Sequence, residues 1–267
     1  MTSILLLIAT GAFAGTLGGL FGIGGGIVIV PVLYLVFSQL GVDPDTAAKT
    51  AVGTSLATII VTSIRSMMAH RKRGAVDFGV LKLWGPFISI GAVMGALVAG
   101  AVSGRALLIV FGVGVIAIGI QRLAGKRGAP ASPVVFSALA QRAMAVGTGL
   151  VSSLMGIGGG VIGVLLLTLA GRPMHQAVGT ASGFGLAIAV PGAIGFALIG
   201  LDAPKVPGAV GYVDVLGFLA VSLGTVIFAP LGARLAHALP ADRLARIFGG
   251  YLLVTGVLLL REAFFGA

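Results

Sequence analysis

The 267-residue sequence contains no cysteine and little charge. The missing cysteine excludes disulfides, thiolate metal sites, iron–sulfur clusters and cysteine redox chemistry. Only 9% of the residues are charged, against about 25% in ordinary soluble domains, while 58% are hydrophobic and the mean hydropathy is +1.15. A soluble fold of this length could not bury so much apolar surface, so the composition speaks against a water-soluble enzyme and indicates a protein of the lipid bilayer.

Long apolar runs fill most of the chain. A bilayer core about 30 Å thick takes roughly 20 apolar residues per helix, whereas the strands of a membrane barrel would alternate over about ten residues. The runs therefore predict an all-α, polytopic transmembrane protein. The chain begins with Met1, Thr2 and Ser3 and continues apolar without a basic segment, so we interpret its start as a retained membrane segment rather than a signal peptide.

The net charge of +10 lies in the linkers between the apolar runs. It forms no basic stripe interleaved with aromatic residues, so we do not expect nucleic-acid binding. The positive-inside rule assigns the basic linkers 70–82 and 122–142 to the cytoplasm, and 41–49 and 201–214 to the outside. With both termini also outside, four of the 17 Lys and Arg residues lie outside (Lys49, Arg105, Lys205, Arg261) and 13 inside. This topology makes 3–38 and 136–171 hairpins.

Four landmarks occur twice and in the same order. They are 15–26 (GTLGGLFGIGGG) and 149–160 (GLVSSLMGIGGG), 51–54 and 177–180 (both AVGT), 76–77 and 213–214 (both VD), and 111–112 and 248–249 (both FG). The repetition predicts a transmembrane repeat over 1–121, a cytoplasmic linker over 122–133 and a second transmembrane repeat over 134–267. Each repeat is expected to contain a Gly-broken hairpin and three further helices.

The matched linkers of the two repeats differ in charge. Linker 70–82 carries +3 and its counterpart 201–214 carries −1, which places them on opposite sides of the membrane and predicts an inverted topology. A parallel duplication with a chance difference in loop charge is the alternative. Inverted repeats with broken helices are typical of transporters, whose binding site lies at the repeat interface near the midplane.

Two glycine-rich turns interrupt the apolar runs, and we take them as candidate substrate-binding elements. The candidate glycines are Gly24, Gly25 and Gly26 in the first turn and Gly158, Gly159 and Gly160 in the second. A helix that starts after such a turn presents its first N–H groups and its positive dipole end, which together suit an anion. Simple helix packing is the alternative. A dinucleotide fingerprint is rejected because Ile27 stands where the third glycine would be required.

Hydroxyl side chains in the two AVGT blocks form a second candidate group. Thr54, Ser55, Thr180 and Ser182 could donate to an anion, or could bond back to the carbonyl one turn earlier in their own helix. Arg65 is the basic residue nearest the interior of a span, where it either lines an inner vestibule or snorkels to the cytoplasmic interface. The sequence shows no carboxylate in mid-span, no metal-ligand spacing and no nucleotide-binding domain. We therefore expect no catalysis, no metal and no cofactor.

At these residues the sequence resembles the TauE/SafE family of sulfite exporters and related permeases. The shared features are the Gly-rich turn followed by Pro31, the 51–55 block, the basic stretch 70–74 with the following Val76 and Asp77, and the second copies at 156–160 and 177–182. The resemblance implies passage of sulfite, sulfonates or related small anions along the Gly turns and the Thr/Ser blocks. Ala181 stands where the first copy has Ser55, which implies an asymmetric site.

The sequence thus predicts a multi-pass inner-membrane exporter of a small sulfur-containing oxyanion, bound between the two turns and moved by rocking of one repeat against the other. An anion channel, or an accessory or scaffold subunit without transport, is the alternative. The expected partners are the small anion and the lipid bilayer. Packing glycines such as Gly91 and Gly95 serve either internal contacts or a homodimer.

Overall fold

The computed structural model describes residues 2–21, 25–124, 136–203, 206–238 and 241–266, and this part of the chain is almost entirely helical. The helices are α1 (Thr2–Phe21), α2 (Gly26–Gln39), α3 (Pro44–Lys72), α4 (Phe78–Ala101), α5 (Gly104–Leu123), α6 (Ala138–Leu154), α7 (Gly160–Leu169), α8 (Met174–Ile199), α9 (Val215–Ala238) and α10 (Ala241–Phe265). Two short antiparallel strands, β1 (Ala209–Val210) and β2 (Val213–Asp214), lie between α8 and α9. The predicted all-α membrane fold is confirmed.

Five helices are long and apolar enough to cross a bilayer. Among the described residues these are Pro44–Lys72, Phe78–Ala101, Gly104–Gln121, Met174–Ile199 and Arg246–Phe265. By contrast α2 has 14 residues and α7 has 10, which at 1.5 Å per residue gives about 21 Å and 15 Å. Neither helix covers a hydrocarbon core of about 30 Å. Because each ends at a polar linker, the glycine turn where each begins lies within the thickness of the bilayer.

Polar side chains cap several of the longer helices, whereas α8, which follows Pro173, has no side-chain cap in the described part of the chain. The side chains of Asp43, Asp77, Ser103 and Ser137 each accept from the backbone N–H three residues further on, which satisfies a donor that the first helical turn leaves free. The two short helices differ. Within the described residues, no side chain caps α2 at Gly25 or α7 at Gly159.

Corresponding helices of the two halves pack in pairs, with α5 against α10 and α3 against α8. On α5 and α10, Gly112 faces Gly256 and Gly119 faces Gly249, so the residue numbers rise on one helix as they fall on the other. The same holds for α3 and α8, where Leu56 faces Gly192 and Ser63 faces Gly185. Each pair therefore runs antiparallel.

The remaining long helices pack across the halves, with α1 on α9 and α4 on α6. Gly91 and Gly95 on α4 lie directly against the backbone of Val146 and Leu150 on α6. These two glycines therefore serve internal contacts, which decides the alternative that the sequence leaves open for them. The protein core surrounds α3, and 78% of an apolar 18-residue stretch of this helix is buried.

Candidate functional site

The two glycine turns meet at the centre of the molecule. A methyl group placed on Gly26 would overlap the carbonyl oxygen of Gly156 and lie 3.1 Å from the Cα of Ile157. Only a residue without a side chain allows this approach. Gly25 and Gly156 also have φ angles of +80° and +61°, which glycine adopts without strain. The predicted site residue Gly24 lies outside the described residues.

The short helices α2 and α7 both begin at this contact. Gly25 directly precedes α2, and Gly159 directly precedes α7. A methyl group placed on Gly159 would lie 2.5 Å from Cδ1 of Ile188. The carbonyl of Gly25 accepts the first α-helical bond from the N–H of Ile29 at 3.2 Å, and also accepts from the N–H of Val28 at 2.9 Å. The structure thus brings the beginnings of two helices, and their positive dipole ends, to one region.

Ser55 ties α3 to the second turn. Its buried Oγ donates to the carbonyl oxygen of Gly156 at 2.8 Å, across 101 residues of chain. This bond satisfies the turn's carbonyl, and it occupies the single hydroxyl hydrogen of Ser55 in this conformation. Ser55 therefore lies at the second turn, and its contact there is with the protein backbone.

Thr54 and Thr180 hold the segments that precede α9 and α4. The Thr54 Oγ1 accepts from the backbone N–H of Asp214 at 2.9 Å, and the Thr180 Oγ1 accepts from the backbone N–H of Asp77 at 2.9 Å. Each threonine follows a glycine that the same segment covers, because the carbonyl of Tyr212 lies on Gly53 and that of Ala75 lies on Gly179. Residues 75–77 dock on α8, and we call them the first latch. Residues 212–214 dock on α3, and we call them the second latch.

The two latches differ in their charges. In the first latch, a carboxylate oxygen of Asp77 lies 3.0 Å from Nη2 of Arg172, and both side chains reach solvent. In the second, Asp214 is only 5% exposed. Its carboxylate oxygens accept from the N–H groups of Leu216 and Gly217, at 3.2 and 2.9 Å. The first latch therefore has a cation beside its acid, while the second has backbone donors.

Burial raises the pKa of the Asp214 carboxyl above its ordinary value of 3.8, and the hydrogen bonds from Gly217 and Leu216 partly oppose that rise. The sequence places Asp214 in an outer linker and shows no acid inside a span. The structure adds that this linker folds back and buries Asp214 beside Thr54 of α3. The repeated Val-Asp pair is the sequence signal that could have indicated this.

Ile59 on α3 fills the space between the two turns. Methyl groups placed on Gly26 and Gly158 would lie 2.9 and 2.8 Å from its side chain, which is fully buried. One turn further along the same face of α3, Ser63 lies against Gly185 of α8. Ile59 is missed by sequence reasoning, because an isoleucine in an apolar helix carries no signal of its own.

Ser153 is a further polar group beside the second turn. Its side chain is fully buried, and its Oγ has no hydrogen-bond partner within the described part of the chain. The backbone carbonyl of the same residue accepts from the N–H of Gly156 at 3.1 Å, so Ser153 belongs to the turn itself. A buried hydroxyl without a partner is unusual, and this one lies toward Gly192 of α8, where a methyl group would come within 3.2 Å of it.

Two further predicted site residues lie on α8 and α3. The Ser182 Oγ donates to the carbonyl of Gly179 at 2.6 Å, which is a bond within its own helix. Arg65 is exposed on α3, six residues or about 9 Å along the helix axis from Ile59. Among the described residues no group of three His, Asp or Glu side chains could hold a metal ion.

A polytopic helical bundle, with two broken hairpins whose turns meet inside the bilayer, belongs to the class of multi-pass membrane transport proteins. The family described as "Sulfite exporter TauE/SafE" matches residues 7–259. The chain therefore belongs to the TauE/SafE family, and it is a membrane transporter of that family.

Curated relatives agree with this assignment. A "probable membrane transporter protein" of Haemophilus influenzae is 30% identical over 257 residues, which cover 96% of this chain and 97% of the relative. One of Methanocaldococcus jannaschii with the same description is 28% identical, covering 96% and 94%. A "sulfite exporter TauE/SafE family protein 1" of Arabidopsis thaliana is 32% identical over 115 residues, covering 42% and 24%. No solved structure matches the chain significantly.

Proposed function

We propose that this protein carries a small sulfur-containing oxyanion, sulfite or an organosulfonate, outward across the inner membrane, and that the anion binds between the two glycine turns. The observation that carries the proposal is the contact between Gly26 and the 156–157 segment, where the beginnings of α2 and α7 come together. Family membership supports the substrate class, because the family is described as sulfite exporters.

The chemistry of the turns fits an anion better than a cation. Each helix beginning carries the equivalent of roughly half a positive charge and several backbone N–H donors. No side chain of the described residues caps either helix. An oxyanion can accept from such donors without a buried lysine or arginine.

In the present conformation Ile59 lies between Gly26 and Gly158 and closes the contact. Binding of an anion between the turns therefore requires α3 to move, or Ile59 to change its rotamer. A closed centre of this kind favours a carrier that alternates between states over a permanently open anion channel. We interpret the structure as a closed state of the transport cycle.

The antiparallel pairing of α3 with α8 and of α5 with α10 supports the inverted-repeat hypothesis, since equivalent helices of inverted repeats run in opposite directions. In the proposed cycle, one repeat rocks against the other and the two latches open in turn. Release of the first latch would connect the turns to the cytoplasm, and release of the second would connect them to the outside.

The test is anion flux into proteoliposomes that contain the purified protein. We expect saturable sulfite flux that thiosulfate or a small sulfonate reduces by competition, and none in protein-free vesicles. Currents that do not saturate would indicate a channel instead. Absence of flux with every anion, together with a stable partner in pull-downs, would contradict transport and favour an accessory subunit.

A further inference from the structure

The second latch contains a buried acid that the proposed anion site does not use. Asp214 is 5% exposed and lies in β2, which packs against α3, α8 and α9. Its backbone N–H donates to Thr54, and its carboxylate oxygens accept from Leu216 and Gly217. The carboxylate of Asp214 thus caps the beginning of α9, while the backbone of the same residue docks on α3.

The surrounding elements offer this carboxylate little compensating charge. On α3, Lys49 pairs with Asp45 at 2.8 Å, and its ammonium group lies 5.7 Å from the centre of the Tyr212 ring. The ionisable residue of α8 is His175, at the opposite end of that helix, and α9 has none between 215 and 233. Asp202, after α8, is exposed, and position 205 lies outside the described residues.

We propose that Asp214 is a proton-binding group, and that its protonation from water on the outer side releases the second latch, so that anion movement depends on the outer pH. This inference rests on the transport function proposed above. A proton added to a carboxylate oxygen replaces an acceptor with a donor. The bond from Leu216 or Gly217 is then weakened and the segment 211–217 loosens. The proton returns to water when the latch closes.

The direction of the pH effect follows from the burial of the carboxyl. Because burial raises the pKa of Asp214 above 3.8, protonation begins at a higher pH than for an exposed aspartate. The latch is therefore held above the raised pKa and released as the pH falls through it. In the first latch, by contrast, Asp77 pairs with Arg172 at 3.0 Å and both side chains reach solvent, so its acid is not enclosed as Asp214 is.

The experiment measures flux of methanesulfonate in proteoliposomes between pH 5 and 8, because this anion keeps its charge over that range. We expect wild-type flux to rise as the pH falls. The variant Asp214→Asn, which still caps a helix but cannot ionise, should lose the pH dependence. Asp202→Asn, which changes an exposed acid outside both latches, should keep the wild-type profile. An unchanged pH profile in Asp214→Asn would overturn the inference.

A second measurement separates this inference from the proposed function. Hydrogen exchange of the protein in nanodiscs, corrected for intrinsic rates, should become faster in 211–217 at low pH in the wild type, and should be fast at both pH values in Asp214→Asn. If this change occurs but no anion is transported, the transport proposal fails and the proton-responsive latch stands. If exchange in 211–217 does not depend on pH, the inference is wrong whatever the flux.

Discussion

Single glycines determine how closely the helices of this protein approach one another. Between α4 and α6, a methyl group on Gly149 would overlap the carbonyl oxygen of Ile88 and lie 2.9 Å from the N of Ala92. Two residues earlier on α6, a methyl group on Gly147 would meet no atom within 4 Å. The two positions have the same helical backbone but opposite surroundings.

We predict that Gly149→Ala destabilises the protein and Gly147→Ala does not. The first change forces α4 and α6 apart, and overpacking typically costs about 1–3 kcal/mol. The second has free space, and alanine in a helix is favoured over glycine by roughly 0.5–1 kcal/mol. Thermal unfolding in detergent should show a lower midpoint for Gly149→Ala. Equal midpoints in the two variants would contradict the close packing of α4 on α6.

At the residue scale, the sequence indicates some of the candidate site and misses its contacts. Repetition singles out Thr54 and Thr180, but their partners lie 160 and 103 residues away. No local pattern specifies such distances along the chain. Ile59 gives no signal, because its position depends on the meeting of two turns from different halves. The roles of the candidate residues in binding an anion stay predictions.

The helices α4 and α9 begin in the same way in the two halves. Phe78 and Val215 are their first residues, each directly follows a latch, and each is exposed. If the repeats are inverted, these equivalent positions lie on opposite sides of the membrane. If the halves are a parallel duplication, the two positions lie on the same side.

We predict that Phe78→Cys reacts with a membrane-impermeant maleimide from the cytoplasmic side and Val215→Cys from the outside. The natural chain has no cysteine, so each variant carries a single reactive thiol. Labelling of intact cells and of inverted vesicles distinguishes the two sides, and permeabilised membranes give the control in which both variants react. Reaction of both thiols from one side would contradict the inverted topology.

At the element scale, long apolar runs were enough to predict a bundle of helices, because a bilayer leaves few other solutions. The short lengths of α2 and α7 follow from the glycine turns that precede them. The docking of 212–214 on α3 was not predicted, because charge alone places 201–214 in a linker. Burial of Asp214 depends on Gly53, which leaves room for the Tyr212 carbonyl.

The whole molecule is organised around one closed contact. The turns of the two halves meet at Gly26 and Gly156, Ser55 fixes the second turn, and Ile59 fills the gap beside them. The first latch docks on α8, and the second latch docks on α3. The central claim is that the anion passes between the turns, and Ile59 is the side chain that it must displace.

The most direct measurement compares anion selectivity in Ile59→Ala and Leu56→Ala. Both changes remove a buried aliphatic side chain from α3, but Leu56 faces Gly192 of α8 whereas Ile59 faces the turns. We measure flux of sulfite and of a larger organosulfonate in proteoliposomes for each variant. The account predicts that Ile59→Ala raises the flux of the larger anion relative to sulfite, while Leu56→Ala keeps the wild-type ratio. An unchanged ratio in Ile59→Ala would contradict passage between the turns.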